Sequence, residues 1–205
     1  MKTSLKTLSS FAFAALGLAL VSNPALAEST YGYSSNGSGT VTATAKVNLS
    51  VAVPKLILLR VGSTNTTVDT LSWAVAPTIP GTPTTPTTTA NNVSVDWTGA
   101  APTFALASAT ATIVASAWTN ATTGTINCSV GTWSATGGPT NANFTVSAGA
   151  GTLAHPGANL SACASTGFTS GSVQTSTWTY TLGGTPLSWA ANTYTNTVTY
   201  TATGV

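Results

Sequence analysis

Val41-Thr42-Ala43-Thr44-Ala45-Lys46-Val47-Asn48-Leu49-Ser50-Val51-Ala52-Val53 alternates strictly between apolar and, with few exceptions, polar residues. A period of two places Val41, Val47, Leu49, Val51 and Val53 on one face, which is the pattern of a half-buried strand. Threonine and valine also favour the extended backbone. The stretch therefore predicts a long first strand, and Pro54 ends or bends it.

The same period recurs downstream. Residues 56–61 form a short apolar run that reads as a buried strand, closed by Gly62. Leu71, Trp73 and Val75 alternate, as do Val93, Val95 and Trp97. A longer β-like stretch spans 103–118. Ile126, Cys128 and Val130 alternate toward Trp133, and Phe144, Val146 and Ala148 make another short strand. Trp178, Tyr180 and Leu182 share a face before the Gly183-Gly184 turn, and Tyr194, Val198, Tyr200 and Ala202 oppose a face of threonines. Nine or ten short strands, with no helix in this region, predict an all-β fold. An antiparallel β-sandwich of immunoglobulin-like or related topology is expected, with a β-barrel as the alternative.

Residues 1–27 read differently. Lys2 and Lys6 precede an apolar run from Leu8 to Val21, then Pro24 and Ala25-Leu26-Ala27. This is the order of a secretory signal peptide, with cleavage expected between Ala27 and Glu28. The run is short for a membrane span, and no second long apolar run follows, so no stable membrane insertion is expected after cleavage. The expected setting is periplasm, cell surface or extracellular space. Residues 28–205 then form one domain with a flexible lead-in at 28–39. A second departure from alternation lies at 76–90, where Pro77, Pro80, Pro83 and Pro86 recur every third residue among threonines. That is the polyproline II period. It reads as a long exposed loop within one domain, with a linker between two domains as the other reading. Residues 149–171, rich in Gly, Ser and Ala, read as a loop.

Charge is scarce, at 4% of residues against about 25% in an ordinary domain. Without the first 27 residues, Lys46, Lys55 and Arg60 balance Glu28, Asp69 and Asp96. No basic footprint remains for nucleic acid. Cys128 and Cys163 are the two cysteines, and export predicts a disulfide between them. Closing that loop stabilises by about 3–4 kcal/mol.

Catalytic chemistry has little to draw on. Asp69 and Asp96 are candidates for a carboxylate pair, but each falls in a strand pattern and reads as solvated. His155 lies in the turn sequence Ala-His-Pro-Gly and reads as exposed and inert, with no nucleophile elbow elsewhere. No metal or cofactor set is complete. Glycosylation sequons at Asn65 and Asn120 are expected by chance in so threonine-rich a chain. The expectation is a non-enzymatic, structural or adhesive surface protein. The six tryptophans carry the alternative, a secreted carbohydrate-binding module in which Trp97, Trp133 and Trp178 stack on sugars.

The C-terminal run Asn192-Thr193-Tyr194-Thr195-Asn196-Thr197-Val198-Thr199-Tyr200-Thr201 resembles the closing strand of bacterial exported β-sandwich proteins, the spore coat U-type and archaic chaperone–usher pilin subunits. Asn192 and Asn196 stand where those proteins often have Gly and Asp, and the cysteines here lie mid-chain. The resemblance implies an incomplete immunoglobulin-like sandwich, a fimbrial-type role at a bacterial surface, and partners that are further copies or other surface subunits. It assigns no site residue. Residues 41–53 have the character of a strand donated to a neighbour, and equally of the first strand of their own sandwich.

Overall fold

The structure, a computed structural model, describes residues 28–64, 66–87 and 91–205. The expected signal peptide at 1–27, its cleavage point after Ala27 and the sequon asparagine Asn65 lie outside the described residues. The chain divides between Val53 and Pro54 into two units.

In the first unit, residues 30–44 turn back on themselves around a tight bend at 35–37. Gly37 N–H donates to Ser34 O, and Thr30 Oγ1 donates to Thr44 O at 3.0 Å. No residue from 28 to 53 belongs to a strand. The long half-buried strand expected at 41–53 is thus not part of a sheet. Its apolar face is open, with Leu49 88% and Val51 86% exposed. The alternation is real, but a strand exists only where a neighbour takes up its backbone hydrogen bonds.

The second unit contains eleven strands among the described residues. They are β1 (Ile57–Val61), β2 (Val75–Thr78), β3 (Gly81–Thr82), β4 (Asp96–Trp97), β5 (Thr103–Leu106), β6 (Thr110–Thr119), β7 (Gly124–Val130), β8 (Phe144–Gly151), β9 (Ser165–Phe168), β10 (Gln174–Leu182) and β11 (Val198–Gly204). Four make one sheet in the order β1-β6-β10-β8, and three make a second in the order β11-β7-β9. Every ladder is antiparallel. Each sheet keeps two edges, so the architecture is a sandwich and not a closed barrel.

The central strand β10 shows why these residues form sheets. Gln174, Ser176, Trp178, Tyr180 and Leu182 point inward and are buried, while Thr175 and Thr177 face out. Trp178 pairs across the sheet with Ile113, and Tyr180 with Ala111. From the facing sheet, Ile126 and Phe168 complete the core with Phe144, Val146, Leu153 and Leu160. Small Ala115 and Ala117 on β6 leave room for the large rings.

β2 pairs with β5, and β3 with β4, as two short ladders. β2 and β3 fall largely inside the proline–threonine stretch read as a loop. Pro77 is accommodated because β2 has one ladder partner and needs no second row of donors. Trp73 holds the base of this ribbon, donating Nε1–H to Ala109 O at 3.1 Å. Similarly, β9 and the end of β8 occupy parts of the stretch read as a loop at 149–171.

Candidate functional site

Two places combine unusual chemistry with position. The first is the side of the sandwich where β1 and β11 are edge strands of opposite sheets. Ile57, Leu59 and Val61 of β1 and Val198, Tyr200 and Ala202 of β11 pack against the core yet stay only half-buried. In a closed sandwich such inward positions are covered. Where β1 begins and β11 ends, Lys55, Leu56, Ile57, Thr119 and Gly204 line a shallow cavity of about 100 Å³. The entry to β1 is clamped from the end of β6. Asn120 Nδ2 donates to Pro54 O at 2.7 Å, Asn120 Oδ1 accepts from Leu56 N–H at 2.7 Å, and Thr119 Oγ1 donates to Leu56 O at 2.9 Å. Both ends of the Asn120 amide are therefore occupied by backbone.

The second place is inside. The turn after β8 carries Leu153, His155 and Pro156, all buried. Trp178 donates its Nε1–H to Leu153 O at 3.0 Å. His155 Nδ1 lies 2.6 Å from Gly157 O, a group that only accepts, so Nδ1 carries the proton. Nε2 is then the acceptor, and Tyr200 donates its O–H to it at 2.7 Å. Tyr180 O–H in turn donates to the Tyr200 oxygen. The imidazole meets Trp178 edge to face at 4.8 Å between centroids, and Tyr200 at 5.5 Å. Burial holds the His155 pKa below its ordinary value, against the raising effect of the Gly157 carbonyl. Burial likewise raises the Tyr180 phenol, and the Tyr200 phenol strongly.

The exposed, inert histidine expected from Ala-His-Pro-Gly is corrected here. The turn faces inward because its apolar members, Leu153 and Pro156, are drawn into the core and His155 goes with them. Its partners lie on β10 and β11, and no local signal in the turn pointed to them. The usable signal was that Tyr180 and Tyr200 sit on inward faces, where a phenol needs a hydrogen-bond partner.

Cys128 and Cys163 form the expected disulfide, with Cα atoms 5.3 Å apart. Cys128 stands opposite Tyr200 in the β7–β11 ladder, and its Sγ contacts Pro156 O at 3.0 Å. The bridge therefore borders the same buried cluster.

The three tryptophans proposed for sugar stacking are not brought together. Trp97 on β4 is 58% exposed, with Nε1–H donated to Ala100 O. Trp133 is half-buried, donates to Asn141 Oδ1 at 2.8 Å and stacks on Phe144. Trp178 has no exposed surface, a correction that follows from its inward position on a central strand. Asp96 is exposed on β4. Asp69 lies outside any strand and accepts from Ser63 N–H and Oγ–H, which holds the turn after β1. Among the described residues no three His, Cys, Asp or Glu side chains gather as metal ligands, and no helix is long and apolar enough to cross a membrane.

Comparison with family models, with curated proteins and with solved structures finds no match to this chain.

Proposed function

We propose that the chain is a non-enzymatic, exported structural or adhesive subunit that assembles with its own copies at a bacterial surface, in the manner of a fimbrial subunit. One observation carries this reading. The strictest apolar alternation in the chain, residues 41–53, is exposed and in no sheet, while the sandwich has two edge strands whose inward side chains are half-covered. An extended segment that adds to a sheet edge satisfies its own backbone groups, and its alternate side chains fill the gap. Residues 41–53 of a neighbouring copy fit the β1/β11 side in this way. The resemblance of the C-terminal run to pilin-like closing strands supports the same reading, since that run contains much of β11. So does the balanced charge, because copies with little net charge do not repel.

The test is deletion of residues 28–53 from the secreted form. The shortened protein is expected to fold as a monomer and to bind a peptide of sequence 41–53, whereas the longer form makes ladders or fibres visible by electron microscopy. Loss of folding on deletion would sink the proposal, and so would a monomeric longer form at high concentration.

A second reading rests on Trp97. It is the one exposed tryptophan, the other five being half-buried or buried, and Phe104 on the same ribbon is 38% exposed. A polysaccharide-binding role through this ribbon predicts that Trp97→Ala abolishes retention on a polysaccharide gel without changing thermal stability.

A further inference from the structure

We propose that the His155–Tyr200–Tyr180 chain is an acid-sensitive latch, which holds the edge strand β11 on the sandwich at neutral pH and loosens it when His155 takes up a proton. The latch lies within one chain and does not depend on assembly.

With neutral His155 there are three donors and three acceptors. Nδ1–H gives to Gly157 O, Tyr200 O–H gives to Nε2, and Tyr180 O–H gives to the Tyr200 oxygen. Every proton has a place. A proton added at Nε2 turns that acceptor into a donor. Tyr200 must then accept from it and point its own hydrogen at Tyr180, and the Tyr180 hydrogen has no acceptor left in the chain. A buried donor without a partner is costly, and a buried positive charge more so.

Among the described residues no carboxylate acts on the imidazole to offset that charge, and the Gly157 carbonyl offsets it only in part. The groups facing the ring are Trp178 and Tyr180 from β10, Tyr200 from β11, and Cys128 of β7 in its disulfide behind Pro156. Neither phenol ionises in this range, because burial pushes both upward. Burial and the Gly157 carbonyl are the influences on the imidazole itself.

The strain is relieved most readily at β11. Tyr200 is the β11 member of the chain and is half-buried, while Tyr180 and His155 are held in the core. β11 has one ladder partner, β7, so it is freer to move than β10, which is held on both sides. A histidine whose folded pKa lies below its ordinary value of 6.5 binds fewer protons folded than unfolded. Its stability contribution is complete above that value and is lost as pH falls below it. Carboxylates in general titrate near about 4 and so do not dominate the window from about pH 7.5 to 5.

The chain has one histidine, so its imidazole resonance is unambiguous. In the full secreted form, that resonance is expected to titrate below the ordinary histidine range. Over the same drop in pH, the amides of β11 are expected to exchange about tenfold faster, after correction for intrinsic rates, than those of β6. His155→Gln is expected to remove the pH dependence of β11 exchange. An ordinary imidazole titration overturns the latch, as does β11 protection that does not change with pH, or an equal change in the variant. If His155→Gln fails to fold, the titration and exchange of the unaltered protein decide alone.

Discussion

Trp178 shows how much a single side chain carries in a core of aromatic and branched aliphatic residues spaced by Ala115 and Ala117. It has no exposed surface, lies edge to face with His155 and ties β10 to the turn at Leu153 through Nε1. Trp178→Ala is expected to destabilise by about 3–5 kcal/mol, the usual cost of emptying a large aromatic site. Trp178→Phe keeps most of the volume but leaves Leu153 O without its donor, and about 1–3 kcal/mol is expected. The tyrosines give a sharper test, because Tyr200 stands in the middle of the hydrogen-bond chain and Tyr180 at its end. Tyr200→Phe strands two groups, the Nε2 acceptor and the Tyr180 hydroxyl hydrogen, whereas Tyr180→Phe removes only a donor to Tyr200. Tyr200→Phe is therefore expected to cost about 1–3 kcal/mol and more than Tyr180→Phe. Urea unfolding at neutral pH measures both, and the reverse order would show that Tyr200 does not link His155 to Tyr180. The inward facing of both tyrosines was legible from alternation. Their meeting with His155 was not, because 45 residues separate His155 from Tyr200, and no local rule links a turn to a strand that far away.

At the scale of elements, the disulfide and the Asn120 clamp are the features with clear thermodynamic consequences. The bridge spans a sequence separation of 35 residues, and such a loop restricts the unfolded chain by about 4 kcal/mol at room temperature. Replacing both cysteines by serine is expected to lower stability by about 2–4 kcal/mol, read from the denaturation midpoint. Asn120→Ala removes two hydrogen bonds at the entry to β1. It is expected to cost about 1–2 kcal/mol and to increase amide exchange in β1 while leaving β10 protected. The cysteine pairing was legible because the chain has two cysteines and so one possible bridge. The clamp was not, since Asn120 read as a chance sequon, and its partners lie some sixty residues earlier. Residues 41–53 are the opposite case. Their facing was plain from the sequence, but a strand needs a neighbour, and alternation does not say which. The proline–threonine stretch was read as a loop from composition, yet β2 and β3 form within it because β5 and β4 run alongside.

For the whole molecule, the near absence of charge sets the response to solvent. Long-range electrostatics contributes little, so raising salt from about 0.05 to 0.5 M, which shrinks the Debye length from roughly 14 to 4 Å, is expected to leave the thermal midpoint nearly unchanged. A shift of many degrees would show that charge pairs matter more than their number suggests. The all-β class, the alternation of faces on β7, β10 and β11 and the covalent bridge were determined by the sequence itself. These follow from simple rules, since side chains alternate along an extended backbone and two cysteines allow one pairing. Only the tertiary structure decided that the strictest alternating segment stands outside the sheets, that β1 and β11 are edges with half-covered inner faces, and that a turn histidine is buried against two tyrosines. Those outcomes depend on which distant strands pair and which faces are covered. Pairing is a contest among all the strands of the chain, and a short window of sequence records a strand's own preference but not its neighbours.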